Sequence, residues 1–144
     1  MDTAETVEVT IPARAEFVSV ARLTAAVVAG RQGFTYDEIE DLKIAVGEAC
    51  TSLIVSGTTP GHPLRIRFRT EPNLLEIGIA ARGAGIALHA PSRPAGGASD
   101  PEPPFDESRL GIFLMQCLVD AVETRRDDAF GTFELRLVKR HHEG

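Results

Sequence analysis

Apolar and polar residues follow two different periods along the 144-residue chain, and each change of period marks a new element. Across residues 6–11, Val7, Val9 and Ile11 alternate with polar positions, the two-residue period of a half-buried strand that Pro12 closes. Over residues 15–30 the period lengthens. Phe17, Val20, Ala21, Thr24, Val27 and Val28 recur at helical spacing as one apolar stripe, with Gly30 and Gly33 at its end. Thr35 then stands as an N-cap with Glu38 three residues on, the capping-box spacing, and opens a helix reaching to about Val55. Its main stripe is Ile39, Leu42, Val46, Cys50 and Leu53. Ile44, Ala45 and Ile54 put apolar groups on its other faces, so this helix is expected to pack on more than one side.

A loop rich in Gly, Thr and Pro follows over residues 57–63. Leu64, Ile66 and Phe68 then alternate with Arg65, Arg67 and Arg69, a strand with one wet, basic face. Glu71-Pro72-Asn73 turns the chain into a second alternation, Leu75, Ile77 and Ile79, which predicts an antiparallel hairpin. Residues 83–104 carry glycines, prolines and little periodicity, a loop long enough to be functional or disordered. Asp106 can cap a third helix with Leu110, Phe113, Leu114, Cys117 and Leu118 as its stripe. Residues 122–126 and 132–139 read as a last pair of strands. This order predicts an α+β fold: a two-layer sandwich whose mixed or antiparallel sheet is covered on one face by three helices. Nothing repeats and no linker divides the chain, so residues 1–144 are expected to form a single domain.

Composition narrows the function classes. A formal charge of −6 opposes non-specific attachment to DNA or RNA. No apolar run approaches the roughly 20 residues that span a bilayer, and the acidic start of the chain is unlike a signal peptide, so no membrane association and a cytoplasmic location are the expectation. Cys50 and Cys117 fall inside apolar helical patterns and read as two buried, reduced thiols. His141 sits in a polar tail and reads as a solvated end.

Several stretches, taken in order, resemble a known family. Tyr36-Asp37-Glu38-Ile39-Glu40-Asp41-Leu42-Lys43-Ile44-Ala45-Val46-Gly47-Glu48-Ala49-Cys50-Thr51-Ser52 is similar to the central helix of the RsbW and SpoIIAB anti-sigma factors, which are GHKL (histidine kinase-like) ATPases. Ala81-Arg82-Gly83-Ala84-Gly85 is placed like their Asp-x-Gly-x-Gly turn. Arg109-Leu110-Gly111 is placed like the Gly-x-Gly opening the helix after their ATP lid, and Gly131-Thr132 like the Gly-Thr of their last strand. Ser19-Val20-Ala21-Arg22-Leu23 is similar to the first helix of SpoIIAB.

The resemblance implies a GHKL fold, an ATP and Mg²⁺ pocket, and a lid-like flexible loop over residues 86–106. It implies a homodimer that holds a sigma factor in a stress-response partner switch and yields it to a STAS-type anti-anti-sigma protein. Glu48 takes the place of the family's catalytic base, Arg22 that of a partner contact, and Gly83, Gly85, Gly111 and Thr132 those of nucleotide contacts. Three positions depart from the pattern. Ser52 replaces the Asn that holds Mg²⁺, Ala81 the Asp that accepts from the adenine amino group, and Arg109 the first Gly of the phosphate turn. Arginine adds bulk where the backbone must approach a phosphate. The departures lean towards a sigma-binding protein without catalysis; the alternative is an active protein-serine kinase that phosphorylates its STAS antagonist. Without the resemblance, Glu48 is one more acid on a solvated helix face and Arg22 a surface arginine.

Overall fold

The computed structural model describes residues 4–56, 58–83 and 107–141, and the side chains at positions 56 and 107–109 fall outside that description. The order of elements is β1 (Glu5–Ile11), a short 3₁₀ turn (Ala15–Phe17), α1 (Val18–Arg31), α2 (Tyr36–Ser56), β2 (Leu64–Glu71), β3 (Leu74–Arg82), α3 (Glu107–Leu118), β4 (Ala121–Asp127) and β5 (Thr132–Arg140). The five strands form one sheet in the order β1-β2-β3-β5-β4. Every pairing in it is antiparallel, so the sheet is antiparallel throughout.

Alternation on the three central strands decides which face is covered. Leu64, Ile66 and Phe68 of β2, Leu75, Ile77 and Ile79 of β3, and Phe133, Leu135 and Leu137 of β5 are buried together. Their alternate neighbours face out and carry most of the sheet's charge. Residues of α1, α2 and α3 complete the same core. The result is an α+β fold with helices on one face and an open, charged sheet on the other.

Turn chemistry sets the path between elements. After α1, Gly33 takes a left-handed φ of 86°, while the N–H groups of Gly33 and Phe34 donate back to Gly30 O and Ala29 O. This double return is a Schellman motif, which needs a residue free of Cβ strain at the left-handed position. It drops Phe34 into the core. In the β2–β3 hairpin Asn73 supplies the left-handed turn residue, with φ of 60°.

Two helical stripes differ from the sequence expectation. On α1 the buried face is Val18, Ala21, Ala25, Val28 and Ala29, while Val20 and Val27 are exposed along with Leu23. On α3 the buried residues are Gly111, Ile112, Met115 and, just past its end, Val119; Leu110, Phe113 and Cys117 are exposed. Both helices carry apolar residues on two neighbouring faces, and on α1 packing selects the face with the smaller side chains. One consequence is a correction: Cys50 is buried but Cys117 is not.

Candidate functional site

The position of α2 is fixed at its first turn. Glu38 N–H donates to Thr35 Oγ1 (3.1 Å) and Thr35 N–H donates to Glu38 Oε1 (2.8 Å), so the capping box closes in both directions. His141, beyond β5, adds a third partner: its Nδ1 donates to the same Oε1 at 2.7 Å, and its ring lies 5.3 Å from that of Phe34. The His141 side chain is only 14% exposed, so it is an anchored group and not the solvated tail its polar neighbours suggested.

From this start, Leu42, Ala45, Val46, Ala49, Cys50 and Leu53 of α2 are fully buried. Residues Glu48 and Ser52, one turn apart, face α3. There Gly111 lets the helices come close: a Cβ at 111 would stand 2.9 Å from Glu48 Oε2 and 3.3 Å from Ser52 Oγ. Glu48 is half-buried and Ser52 is 7% exposed. The structure therefore brings together three of the residues singled out in the sequence.

Ala81, 3% exposed, lies one residue before the end of β3, on the helix side of the sheet, and is paired with Phe133. Gly83 follows with φ of 141°, and its N–H donates to Gly131 O at 3.0 Å. The segment after α2 is tied to the same corner, because Thr59 N–H donates to Arg82 O at 2.6 Å. Thr132 pairs with Arg82 and shares its side of the sheet, the open one. The structure therefore does not bring Thr132 to Glu48, Ser52 and Gly111; the β5 side chain on their side is Phe133. Gly85, the lid-like loop of residues 86–106 and the Arg109 side chain lie outside the described residues.

On the other flank of α2, Arg22 is exposed and lies across Gly47, where a Cβ would stand 3.1 Å from Arg22 Cδ. A groove of about 530 Å³ opens there between α1 and α2, bordered by Arg22, Leu23, Lys43, Ile44, Gly47 and Glu48 among others. Glu48 thus borders both the groove and the contact with Gly111. Burial pushes the nearby Cys50 thiol up to about 12, with the Arg22 guanidinium drawing it partly back. The groove residues Gly47 and Ile44 were not read from the sequence as a site. The signal available was Gly47 itself, since a glycine inside a helix costs about 1 kcal/mol relative to alanine and calls for a packing reason. Among the described residues no three His, Cys, Asp or Glu side chains converge as a metal site.

Comparison with known proteins shows the family. Residues 11–139 match the histidine kinase-like ATPase domain. The chain belongs to that family. Within it, the chain is 39% identical to the serine-protein kinase RsbW of Halalkalibacterium halodurans over 125 residues, which is 85% of this chain and 77% of that protein. It is 35% identical to the serine-protein kinases RsbW of Bacillus thuringiensis strain Al Hakam and Bacillus cereus strain 03BB102, each over 143 residues, 97% of this chain and 89% of theirs. In this histidine kinase-like ATPase domain, Glu48 lies on α2 beside Gly111 of α3. No helix among its described residues is long and apolar enough to cross a membrane.

Proposed function

We propose that this chain is an RsbW-type anti-sigma factor that acts as a cytoplasmic homodimer. It sequesters an alternative sigma factor and releases it to a STAS-type anti-anti-sigma partner. The observation that carries the reading is Arg22. Its guanidinium is exposed beside a groove whose flanks include exposed Leu23 (61%) and Ile44 (48%), and Val20 and Val27 extend the apolar strip along α1. Clustered apolar exposure with a charged residue at its centre suits a protein partner. A pull-down with the full chain from its native host tests this: recovery of a sigma factor, lost on Arg22→Ala, is expected. Recovery of neither a sigma factor nor a STAS protein defeats the reading.

The family implies ATP and Mg²⁺, and the residues present fit that group poorly. Ala81 presents a buried methyl where an acceptor for the adenine amino group is needed, leaving that polar group to be satisfied elsewhere or lost at about 1–3 kcal/mol. Ser52 supplies a hydroxyl, nearly buried against Gly111, in place of an amide oxygen. We therefore read the chain as a binding protein with a depleted nucleotide pocket. Glu48, retained at that pocket, favours one competing reading, an active kinase for the STAS partner. Calorimetry with Mg-ATP separates the two. Low-micromolar binding, with phosphate transfer abolished by Glu48→Gln, establishes the kinase.

A further inference from the structure

The open face of the sheet holds a second feature, on the side away from Glu48 and Gly111. Three of its arginines are ion-paired. Arg67 reaches Glu8 at 4.0 Å, Arg69 reaches Glu71 at 2.7 Å, and Arg136 reaches Glu134 at 3.0 Å and Glu76 at 3.5 Å. Among the described residues Arg65, Arg82, Arg125 and Arg140 have no carboxylate within ion-pair distance; of these, Arg65 and Arg82 are neighbours, and Arg82 has only a 3.4 Å contact to Phe130 O. Two uncompensated arginines side by side are notable in a chain of net charge −6.

Register explains why they are neighbours. Arg65 lies opposite Ala80, and Arg82 is two residues farther along β3 on the same face, a diagonal pair within reach of long side chains. The space beside them is a hollow of about 450 Å³ bordered also by His62, Pro63, Ala80, Ala81, Phe130 and Thr132. Phe130 is 67% exposed, an aromatic face with nothing on it among the described residues. Two acids flank the hollow in register: Asp127, opposite Thr132, accepts from Ala129 N–H at 3.1 Å, and Glu134, opposite Ala80, is turned elsewhere. It bonds Arg136, and its Oε2 lies over Gly78, where a Cβ would stand 2.9 Å away. Glycine at 78 gives the Glu134 carboxylate room to lie along the sheet, leaving Arg65 and Arg82 uncovered.

We propose that this hollow binds a small phosphate monoester bearing a flat apolar group. The phosphate sits between the Arg65 and Arg82 guanidiniums and accepts from the Thr132 hydroxyl, and the flat group rests on Phe130 and Pro63. A phosphate dianion balances two guanidiniums and offers three acceptor oxygens to their forks and the hydroxyl; a carboxylate offers one charge and two oxygens. The volume lies in the range of small-ligand sites. The site is independent of the sigma-factor reading, because it shares no side chain with the α1–α2 groove.

The test is a titration of the full chain with phenyl phosphate, followed by amide chemical shifts, with inorganic phosphate and a hexaglutamate peptide in parallel. Saturable shifts are expected at residues 80–82 and 130–132. In the Arg65→Ala, Arg82→Ala double variant the affinity for phenyl phosphate falls by about tenfold or more, and in Phe130→Ala by a smaller factor. These side chains are exposed, so the unfolding midpoint stays near that of the parent chain and reports that the fold is intact. Absence of saturable shifts overturns the proposal, as does an affinity unchanged in the double variant. Inorganic phosphate binding as tightly as phenyl phosphate removes the flat group from it. Hexaglutamate saturating the same residues more tightly assigns the hollow to an acidic protein segment and also overturns it.

Discussion

Gly111 of α3 lies against Glu48 of α2 so closely that a single added carbon would stand 2.9 Å from the carboxylate oxygen Oε2. Two effects compete on Gly111→Ala. Alanine gains up to about 1 kcal/mol of helix propensity over glycine. Against that, the new methyl must displace the Glu48 carboxylate, which can swing, and press on Ser52 Oγ at 3.3 Å, which is held close to its helix. The two nearly cancel, so Gly111→Ala is expected to change unfolding free energy by less than about 1 kcal/mol in urea denaturation. Gly111→Leu adds volume that neither neighbour can yield, and a loss of roughly 1–3 kcal/mol is expected. A fully tolerated leucine would show that the two helices do not meet at this point.

Gly47 makes the same kind of opening on the opposite flank of α2, but its neighbour is different. The atoms a Cβ would meet are Arg22 Cδ at 3.1 Å, Nη1 at 3.5 Å and Cγ at 3.6 Å, all on one exposed, flexible side chain. Gly47→Ala should therefore keep or slightly raise stability while lifting Arg22 off the groove. If the proposed function holds, retention of a sigma factor falls about three- to tenfold in Gly47→Ala, as in Arg22→Ala. The double variant should lose little more than either alone, since both changes act through one contact. Fully additive losses would separate Arg22 from the groove.

The clasp at the start of α2 makes a stability prediction with an internal control. Thr35→Ala removes one capping bond, at about 1 kcal/mol. Glu38→Ala costs more, roughly 1–3 kcal/mol, because Oε1 receives both Thr35 N–H and His141 Nδ1 and the side chain is only 13% exposed. A double-mutant cycle over Glu38→Ala and His141→Ala is expected to give a coupling of at least about 0.5 kcal/mol. Zero coupling by chemical denaturation would place His141 in solvent.

The contrast between these sites shows what the chain discloses locally and what it does not. The capping box was legible because Thr35 and Glu38 are three residues apart; His141 was not, because its partner lies 103 positions away. Strand alternation gave the covered face of β2, β3 and β5 correctly, since a two-residue period admits only two answers. The helices admit more. On α1 the periodic reading took in Val20, Thr24 and Val27 beside Ala21 and passed over Ala25 and Ala29, yet all three alanines are fully buried, at 0% exposure, because they let α1 approach its neighbours closely. Glu48 and Ser52 were legible through their i, i+4 spacing and family likeness. Arg65 was read only as part of a wet strand face and Arg82 only as part of the glycine turn, because strand register, not sequence distance, makes them neighbours.

The two cysteines provide a last test, because their environments differ although both sit in apolar patterns. Cys117 is exposed on α3, and Cys50 is fully buried on α2. Ellman titration of the native chain near pH 8 is therefore expected to find one fast thiol, removed by Cys117→Ser, and a second only on unfolding. The Cys50 thiol is pushed from an ordinary 9.0 to about 12, chiefly by burial and against the opposing pull of Arg22. Well below pH 9 it is protonated in folded and unfolded chains alike and does not bias the equilibrium. Between about 9 and 12 the unfolded chain releases the proton while the folded chain keeps it, so the folded state binds more protons and stability falls as pH rises. The slope from this one group is at most about 1.4 kcal/mol per pH unit. Comparing the parent chain with Cys50→Ala across pH 8.5–10.5 isolates it from lysine and tyrosine titration: the variant should lose stability less steeply. Equal slopes, or two equally fast thiols in the native chain, would place Cys50 at the surface and separate α1 from α2 where Arg22 now crosses Gly47.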